Sequence, residues 1–508
     1  MSLNVVEQHF HKCPELSDWD RFLGCASRVR RIELSPLALR MDNLIAENTF
    51  DVLADSRPPG ITTIFPRLHS INVSMFGLGS LSGPLPGDLF FHSGVQEVTL
   101  DVSGFDMVEL GPDEDQYGVD VDRAYTLFSE IPRLSPNIEK LVIMCEGEHM
   151  HYLIRDAVCE LLRNLKNLRS FSSPSPPDEV TPKFVTALRH HQFLRTITSM
   201  DDGGLGDLLS SDEQLDEDAS YPALELLEFC GYLSELPKIF DGQTPQFLSL
   251  THLWIKIVLS DPKQTSTYAV MGGISWHCPN LERLWIVFVF RGRFDDFTKW
   301  QLTAEELHPL RSLEWLHLLQ IQHYRGVAIN DFELVEFIRH FPDLDTLSLN
   351  HFISCNDDGE YDSLVSRAGK EGFQPLLTLN SLVLLSQIEN QLRSLGIYAD
   401  ASNVHGIDAV VGRHLGELEE IDFGNSLTPN CTSCEGEISR FLAMVLPLEC
   451  TITTCGVEQK NSVKWKKLKE NVDKLREHPC DAYDRGEYFT TGDWHPHSRP
   501  MTWINGNC

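Results

Sequence analysis

The run CPNLERLWIVFVF, Cys278–Phe290, decides how the rest of the 508-residue chain is read. It opens on a Pro-containing turn and runs into seven unbroken apolar residues, Leu284–Phe290. A bilayer span needs roughly 18 apolar residues, so this run is too short to cross one and fits a single buried strand. Within it Leu281, Leu284 and Ile286 form the unit Leu-x-x-Leu-x-Leu. The question is whether that unit stands alone.

It recurs along the chain. Copies are Leu68/Ile71/Val73, Val95/Val98/Leu100, Ile138/Leu141/Ile143, Leu224/Leu227/Phe229, Leu250/Leu253/Ile255, Leu313/Leu316/Leu318, Leu344/Leu347/Leu349, Leu392/Leu395/Ile397 and Leu418/Ile421/Phe423, with weaker ones starting at Val29, Leu168 and Leu194. Spacings of about 26 to 48 residues are those of a stacked repeat architecture. Many copies follow a turn with proline, as in FPRL, SPNI, YPAL, CPNL and FPDL, where a residue that cannot donate to a ladder marks the strand's start. Between copies lie segments of helical periodicity: DFELVEFIRHF (331–341, with Asp331 placed as N-cap), TPKFVTALRHH (181–191) and LTLNSLVLLSQ (377–387). A strand plus a helix cannot bury its own apolar face, so the units must stack. The expected fold is an α/β leucine-rich-repeat solenoid of about 13 irregular repeats. It would be a horseshoe with short parallel strands on the concave face and helices on the convex one.

One departure stands out. Three residues after the third apolar position, where many leucine-rich repeats carry Asn or Cys, this chain has Tyr232, Val289 and Phe352. The usual asparagine ladder is therefore missing. Acidic, Gly-containing stretches near 103–124, 201–220 and 354–375 read as loops inserted into an array spanning 61–455. Residues 1–60 would form an N-terminal cap with a first irregular repeat, and 456–508 a basic helical cap with a tail.

Strand alternation points to a partner surface. With Leu281, Leu284 and Ile286 inward, Arg283, Trp285 and Val287 face outward on the concave side. The same register places His252, Trp254 and Lys256 on the preceding strand and Trp315, His317 and Leu319 on the following one. Trp and Arg are the residue types most enriched at binding hot spots, so these residues are the candidate protein-binding site.

Bulk properties bound the alternatives. A composition 42% apolar and 23% charged suits a large packed core. The net charge of −32 repels phosphate backbones, so no nucleic-acid partner is expected. No segment has the length for a membrane span, and no membrane partner is expected. Thirteen scattered cysteines read as reduced, buried thiols and place the protein in the cytoplasm or nucleus. No Walker loop, His-Glu-x-x-His, dinucleotide fingerprint or Gly-x-Ser-x-Gly is present, so neither an enzyme nor a cofactor is expected. Cys431, Cys434, Cys450 and Cys455 approach zinc-ribbon spacing, but VLPLECTITTC (445–455) reads better as a terminal repeat strand with buried thiols. KNSVKWKKLKENVDKLREH (460–478) carries Val463, Leu468, Val472 and Leu475 at near-helical spacing, as a segment closing the open end of the array would.

The stretch LSDWDRFLGCASRVRRIEL (16–34), followed by FPRLHSINV and NDFELVEFIRHFPDLDTLSL, resembles the F-box and leucine-rich-repeat proteins of mushroom-forming fungi. The resemblance covers roughly residues 15–455. In that family an F-box precedes the element seen here at Asp18–Phe22, and this sequence starts at that element with the F-box itself missing. The resemblance implies a solenoid that holds a protein target for a ubiquitin ligase of the Skp1–cullin type. A Skp1-type adaptor is expected as a partner only if an F-box lies upstream. PLPGDLFF (84–91) sits inside the array and reads as an inter-repeat turn.

Overall fold

The computed structural model describes residues 15–34, 49–74, 87–102, 118–144, 152–173, 187–188, 191–198, 221–234, 236–240, 247–259, 267–290, 301–323, 327–349, 375–402, 415–424, 426–428, 432–453 and 459–477. The chain divides into two compact units, Met1–Leu250 and Thr251–Cys508.

In the first unit seven strands are stacked in parallel and in chain order: β1 (Arg31–Leu34), β2 (Ser70–Ser74), β3 (Glu97–Asp101), β4 (Lys140–Met144), β5 (Ser170–Ser172), β6 (Thr196–Thr198) and β7 (Leu226–Tyr232). Parallel neighbours cannot be joined by a hairpin, so the chain must cross over between them, here through helices such as Gly118–Leu134 and Tyr152–Asn164. The second unit repeats the plan. It contains β8 (His252–Leu259), β9 (Arg283–Phe290), β10 (Leu302–Thr303), β11 (Leu318–Gln322), β12 (Val327–Ala328), β13 (Thr346–Leu349), β14 (Leu377–Thr378), β15 (Ser394–Ile397), β16 (Ala399–Asp400), β17 (Glu420–Asp422) and β18 (Thr451–Thr453). Its main ladder runs β8-β9-β11-β13-β15-β17-β18, all parallel. The two-residue strands form side ladders, β10 with β12 and β14 with β16.

The inward side chains of the motif are the core: Ile71, Val98, Leu141, Leu253, Leu284, Leu347, Leu395 and Ile421 are all buried. Many of the turns before the strands close with an i to i+3 hydrogen bond, as from Leu68 N to Phe65 O (2.9 Å) and Leu281 N to Cys278 O (3.3 Å). Proline at the second position of FPRL and CPNL supplies the φ that such a turn needs.

A different polar ladder runs through the turns before the strands. The third turn residue donates its side chain to the second residue of the previous turn: Asn137 Nδ2 to Ser93 O (2.9 Å), Asn167 Nδ2 to Pro136 O (3.0 Å), Ser249 Oγ to Pro222 O (2.7 Å). At two turns the first residue does likewise. Ser135 Oγ donates to His92 O (2.9 Å), and His92 Nε2 lies 2.9 Å from Phe65 O. His92 Nδ1 accepts from Gly94 N at 3.0 Å, and a Cβ on Gly94 would come within 2.7 Å of the ring, so only glycine fits beneath it. Burial pushes the His92 pKa down, opposed by the Phe65 carbonyl. At Val289 no turn is needed because the strand does not stop: β8 and β9 are each eight residues long, and Val289 is buried inside the second. Tyr232 ends β7, and Phe352 lies outside the described residues.

Both ends of the described chain carry helices. At the N-terminal end the helix Leu16–Ala26 buries Trp19, which meets Phe22 edge to face at 5.5 Å; Phe22 in turn meets Phe65, and Phe65 stacks on Phe90. At the other end the helix Gln459–Glu477 buries Trp465, Leu468 and Val472. Trp465 stacks on Phe423 (4.3 Å between centroids, 12° between planes) and donates Nε1 to Ser426 O at 3.0 Å. Arg476 holds the last turn through Nη1 to Cys450 O and Nη2 to Pro447 O. Of the apolar residues expected on this helix, Val463 is exposed and Leu475 half-buried, whereas Trp465 carries most of the packing. Ser426 lies three residues after Phe423, at the asparagine-ladder position, and serves as one: Oγ donates to Ile397 O and accepts from Ala399 N.

Several sequence expectations change. The N-cap of the helix Asp331–Ile338 is Asn330, whose Oδ1 accepts from Phe332 N and Glu333 N, both at 3.0 Å. Asp331 instead reaches Thr378, accepting from its N (2.8 Å) and Oγ1 (2.6 Å). LTLNSLVLLSQ is β14 followed by the helix Asn380–Leu385, because Leu377 and Thr378 pair with β16. In TPKFVTALRHH the described residues 187–188 are helical. Of the acidic stretches, 118–124 belong to the helix Gly118–Leu134, while 103–117, 201–220 and 354–374 lie outside the described residues.

Candidate functional site

The site is built on β8 and β9, whose long register fixes which residues share the outward face. His252 pairs with Arg283, Trp254 with Trp285 and Lys256 with Val287. Leu253 and Ile255 alternate with them into the core, as do Leu284 and Ile286. The two indoles stack face to face, 4.5 Å between centroids with 8° between planes. Trp254 is 38% exposed, so the stack presents an open aromatic surface that ends the pair on the solvent side. Trp285 is half-buried, and its Nε1 has no hydrogen-bond partner among the described residues. Arg283 is exposed beside it, and His252 Nδ1 lies 2.8 Å from Thr251 Oγ1.

The third strand differs from expectation. LRSLEWLHLLQIQ holds two overlapping copies of the motif, and the structure uses Leu316/Leu319/Ile321 rather than Leu313/Leu316/Leu318. The hydrogen bonds are decisive: one carbonyl in each repeat accepts two successive N–H groups of the next, and Glu282 O accepts from His317 N and Leu318 N just as Thr251 O accepts from Glu282 N and Arg283 N. His317 is thus the counterpart of Glu282, and Gln320 pairs with Trp285. Trp315 lies in the turn before β11, 59% exposed and off the face that carries Trp254 and Trp285. His317 likewise precedes the strand, with Nδ1 at 2.9 Å from Asp343 O. Leu319 is buried. This register buries Leu319 and Ile321 together, which the other would have turned to solvent.

The residues added to the face are therefore Leu318, Gln320 and Gln322. Further along, the row through Trp254 and Trp285 continues as Gln320, Ser348, Gly396, Asp422 and Thr453. In the first unit the corresponding row, Glu33, Asn72, Thr99, Val142, Ser172 and Thr198, has no aromatic residue. The aromatic surface belongs to β8 and β9.

The cysteine quartet is not assembled by the described residues. Cys434 takes part in a disulfide, contrary to an all-reduced chain, so it offers no thiolate to a metal. Cys450 is a buried thiol whose pKa is pushed up to about 11, chiefly by burial, against the Arg476 charge and with the Glu420 charge. Cys431 and Cys455 lie outside the described residues. Cys159, Cys230 and Cys278 are buried cysteines outside any disulfide, and Cys25 is an exposed one. Burial raises the Cys278 pKa strongly, which makes it a packing residue rather than a nucleophile. Among the described residues no group of His, Cys, Asp and Glu is placed to hold a metal ion, and no helix is long and apolar enough to cross a membrane.

No protein-family model matches the chain, and no curated protein matches it. Among solved structures it is similar to one titled "Crystal structure of Rad7 and Elc1 complex in yeast", at 13% identity over 87% of this chain and 90% of that one, with a TM-score of 0.34. A likeness that low carries no argument about what this chain does.

Proposed function

We propose that this protein is a non-catalytic protein-binding solenoid whose open sheet face, centred on Trp254 and Trp285, holds a target protein. The observation that carries the proposal is the stacked, solvent-facing indole pair beside an exposed arginine that has no ion-pair partner among the described residues. Apolar area left in water is unfavourable, at roughly 25 cal/mol per Å2, and a partner that covers it recovers that free energy. His252, Trp254, Lys256, Arg283 and Trp285 are the binding residues in this reading; Trp315 and His317 sit outside it.

The finer reading is that the solenoid is the target-recognition part of a ubiquitin ligase of the Skp1–cullin type. It rests on the N-terminal resemblance at Asp18–Phe22. The alternative is an interaction scaffold with no ubiquitin role, which would use the same face. Purifying the protein as expressed from its own locus and probing for a Skp1-type adaptor separates the two. Co-purification of the adaptor is expected for the ligase part, and its absence from a complex that still holds the target would leave the scaffold.

A further inference from the structure

The open face of the second unit is electrically polar along its length. Its two outward rows begin with His252, Trp254, Arg283 and Trp285 on β8 and β9, and reach Glu420 and Asp422 on β17. Glu420 is exposed, its Oε1 accepting from Thr453 Oγ1 at 3.2 Å, and Asp422 Oδ1 accepts from Gly424 N at 2.8 Å. Beyond Leu318 and Gln320 on β11 the face carries the small side chains of Thr346, Ser348 and Ser394, and at Gly396, paired with Ser348 and Asp422, there is no side chain at all. The middle is therefore shallow, which lets a partner's backbone approach the strands closely.

Four strand steps separate β9 from β17. At roughly 4.8 Å each that is ~19 Å, the length of about six residues of extended chain. We propose that the target presents an extended segment laid across these strands. A carboxylate-bearing residue would meet Arg283, an apolar neighbour would cover the Trp254–Trp285 stack, and a lysine or arginine about six residues away would meet Glu420 and Asp422. This rests on the protein-binding reading of the same face and adds the chemistry and polarity of the partner. Opposite charges at the two ends fix the direction of the segment and suppress a reversed one, where like charges would face each other.

The test is a selection of random twelve-residue peptides on phage against the full chain, retaining those displaced by loss of Trp254 and Trp285. Retained peptides are expected to share Asp or Glu near an apolar residue, with Lys or Arg five to seven positions away. Arg283→Glu should weaken a retained peptide about fivefold, and exchanging the peptide's acid for lysine should restore it; Glu420→Lys with Asp422→Lys should do the same at the other end. Should Arg283→Glu melt below the native protein, the peptide-side exchange is read on the native chain alone. Peptides that need the tryptophans but carry no charge pair, or ignore both reversals, overturn the polarity and leave the binding face standing. Failure to retain any peptide that needs the tryptophans overturns the binding face and the polarity together.

Discussion

Two tryptophan stacks in the second unit share one geometry and face opposite fates. Trp254 and Trp285 lie 4.5 Å apart at 8°, while Trp465 and Phe423 lie 4.3 Å apart at 12°. The first pair opens to solvent through Trp254, while the buried Trp285 Nε1 has no partner among the described residues. The second is buried at the end of the array, with Trp465 Nε1 bonded to Ser426 O. Ring geometry alone therefore does not separate a structural aromatic from a binding one. What separates them is how far the rings are covered: Trp254 is 38% exposed, whereas Trp465 and Phe423 are buried.

The sharpest way to break this comparison is to remove the buried stack. Trp465→Ala should lose about 3–5 kcal/mol of stability, through the cavity left against Phe423 and the orphaned Ser426 carbonyl. Chemical denaturation with the midpoint followed by circular dichroism measures it, and a loss under 1 kcal/mol would show that the helix Gln459–Glu477 is dispensable as a cap. Ser426→Ala should cost about 1–3 kcal/mol, because Ala399 N and Ile397 O would both lose their partner.

At the other end of the chain the effect is smaller and depends on pH. Burial holds the His92 pKa below its usual 6.5, so the native state binds fewer protons than the unfolded chain. Its contribution to stability is fully present above that value and is lost as pH falls through the lowered native pKa. Protonation at Nδ1 would also set a donor against Gly94 N–H. Stability measured from pH 7 to pH 5 should fall less steeply for His92→Gln than for the native protein; equal slopes would contradict the assignment. Smallest of all, Trp315→Ala should leave target affinity within about twofold, despite being the most exposed of the three tryptophans, because its ring lies off the strand face.

How far the sequence was legible follows the same logic. Leu281, Leu284 and Ile286 were readable as core because each repeat restates the pattern and a Pro turn marks its start. The pairing of Trp254 with Trp285 followed from alternation alone. The frame of the strand at Leu318–Gln322 is not legible in the sequence, because HPLRSLEWLHLLQIQ has its proline four residues before the turn and two leucine frames three residues apart. Only the shared carbonyl of Glu282, a contact between repeats, chooses the frame. The packing role of Trp465 does not show in the sequence because KNSVKWKKLKENVDKLREH is so polar that only Trp465, Leu468 and Val472 form its buried stripe, and that of Ser426 does not because serine carries no positional signal without its neighbours. The turn ladder through Asn137, Asn167 and Ser249 was hidden for the same reason: its acceptors are backbone carbonyls one repeat away.

The account stands most directly on the binding of one target, whole or as a selected peptide, to the Trp254→Ala, Trp285→Ala double variant beside the native chain. Loss of binding by at least about tenfold, with the unfolding midpoint nearly unchanged, is the result expected of an open face that exists to be covered. A variant that unfolds several degrees earlier while binding as tightly as the native protein would show that the stack holds the strands together, and would contradict the account.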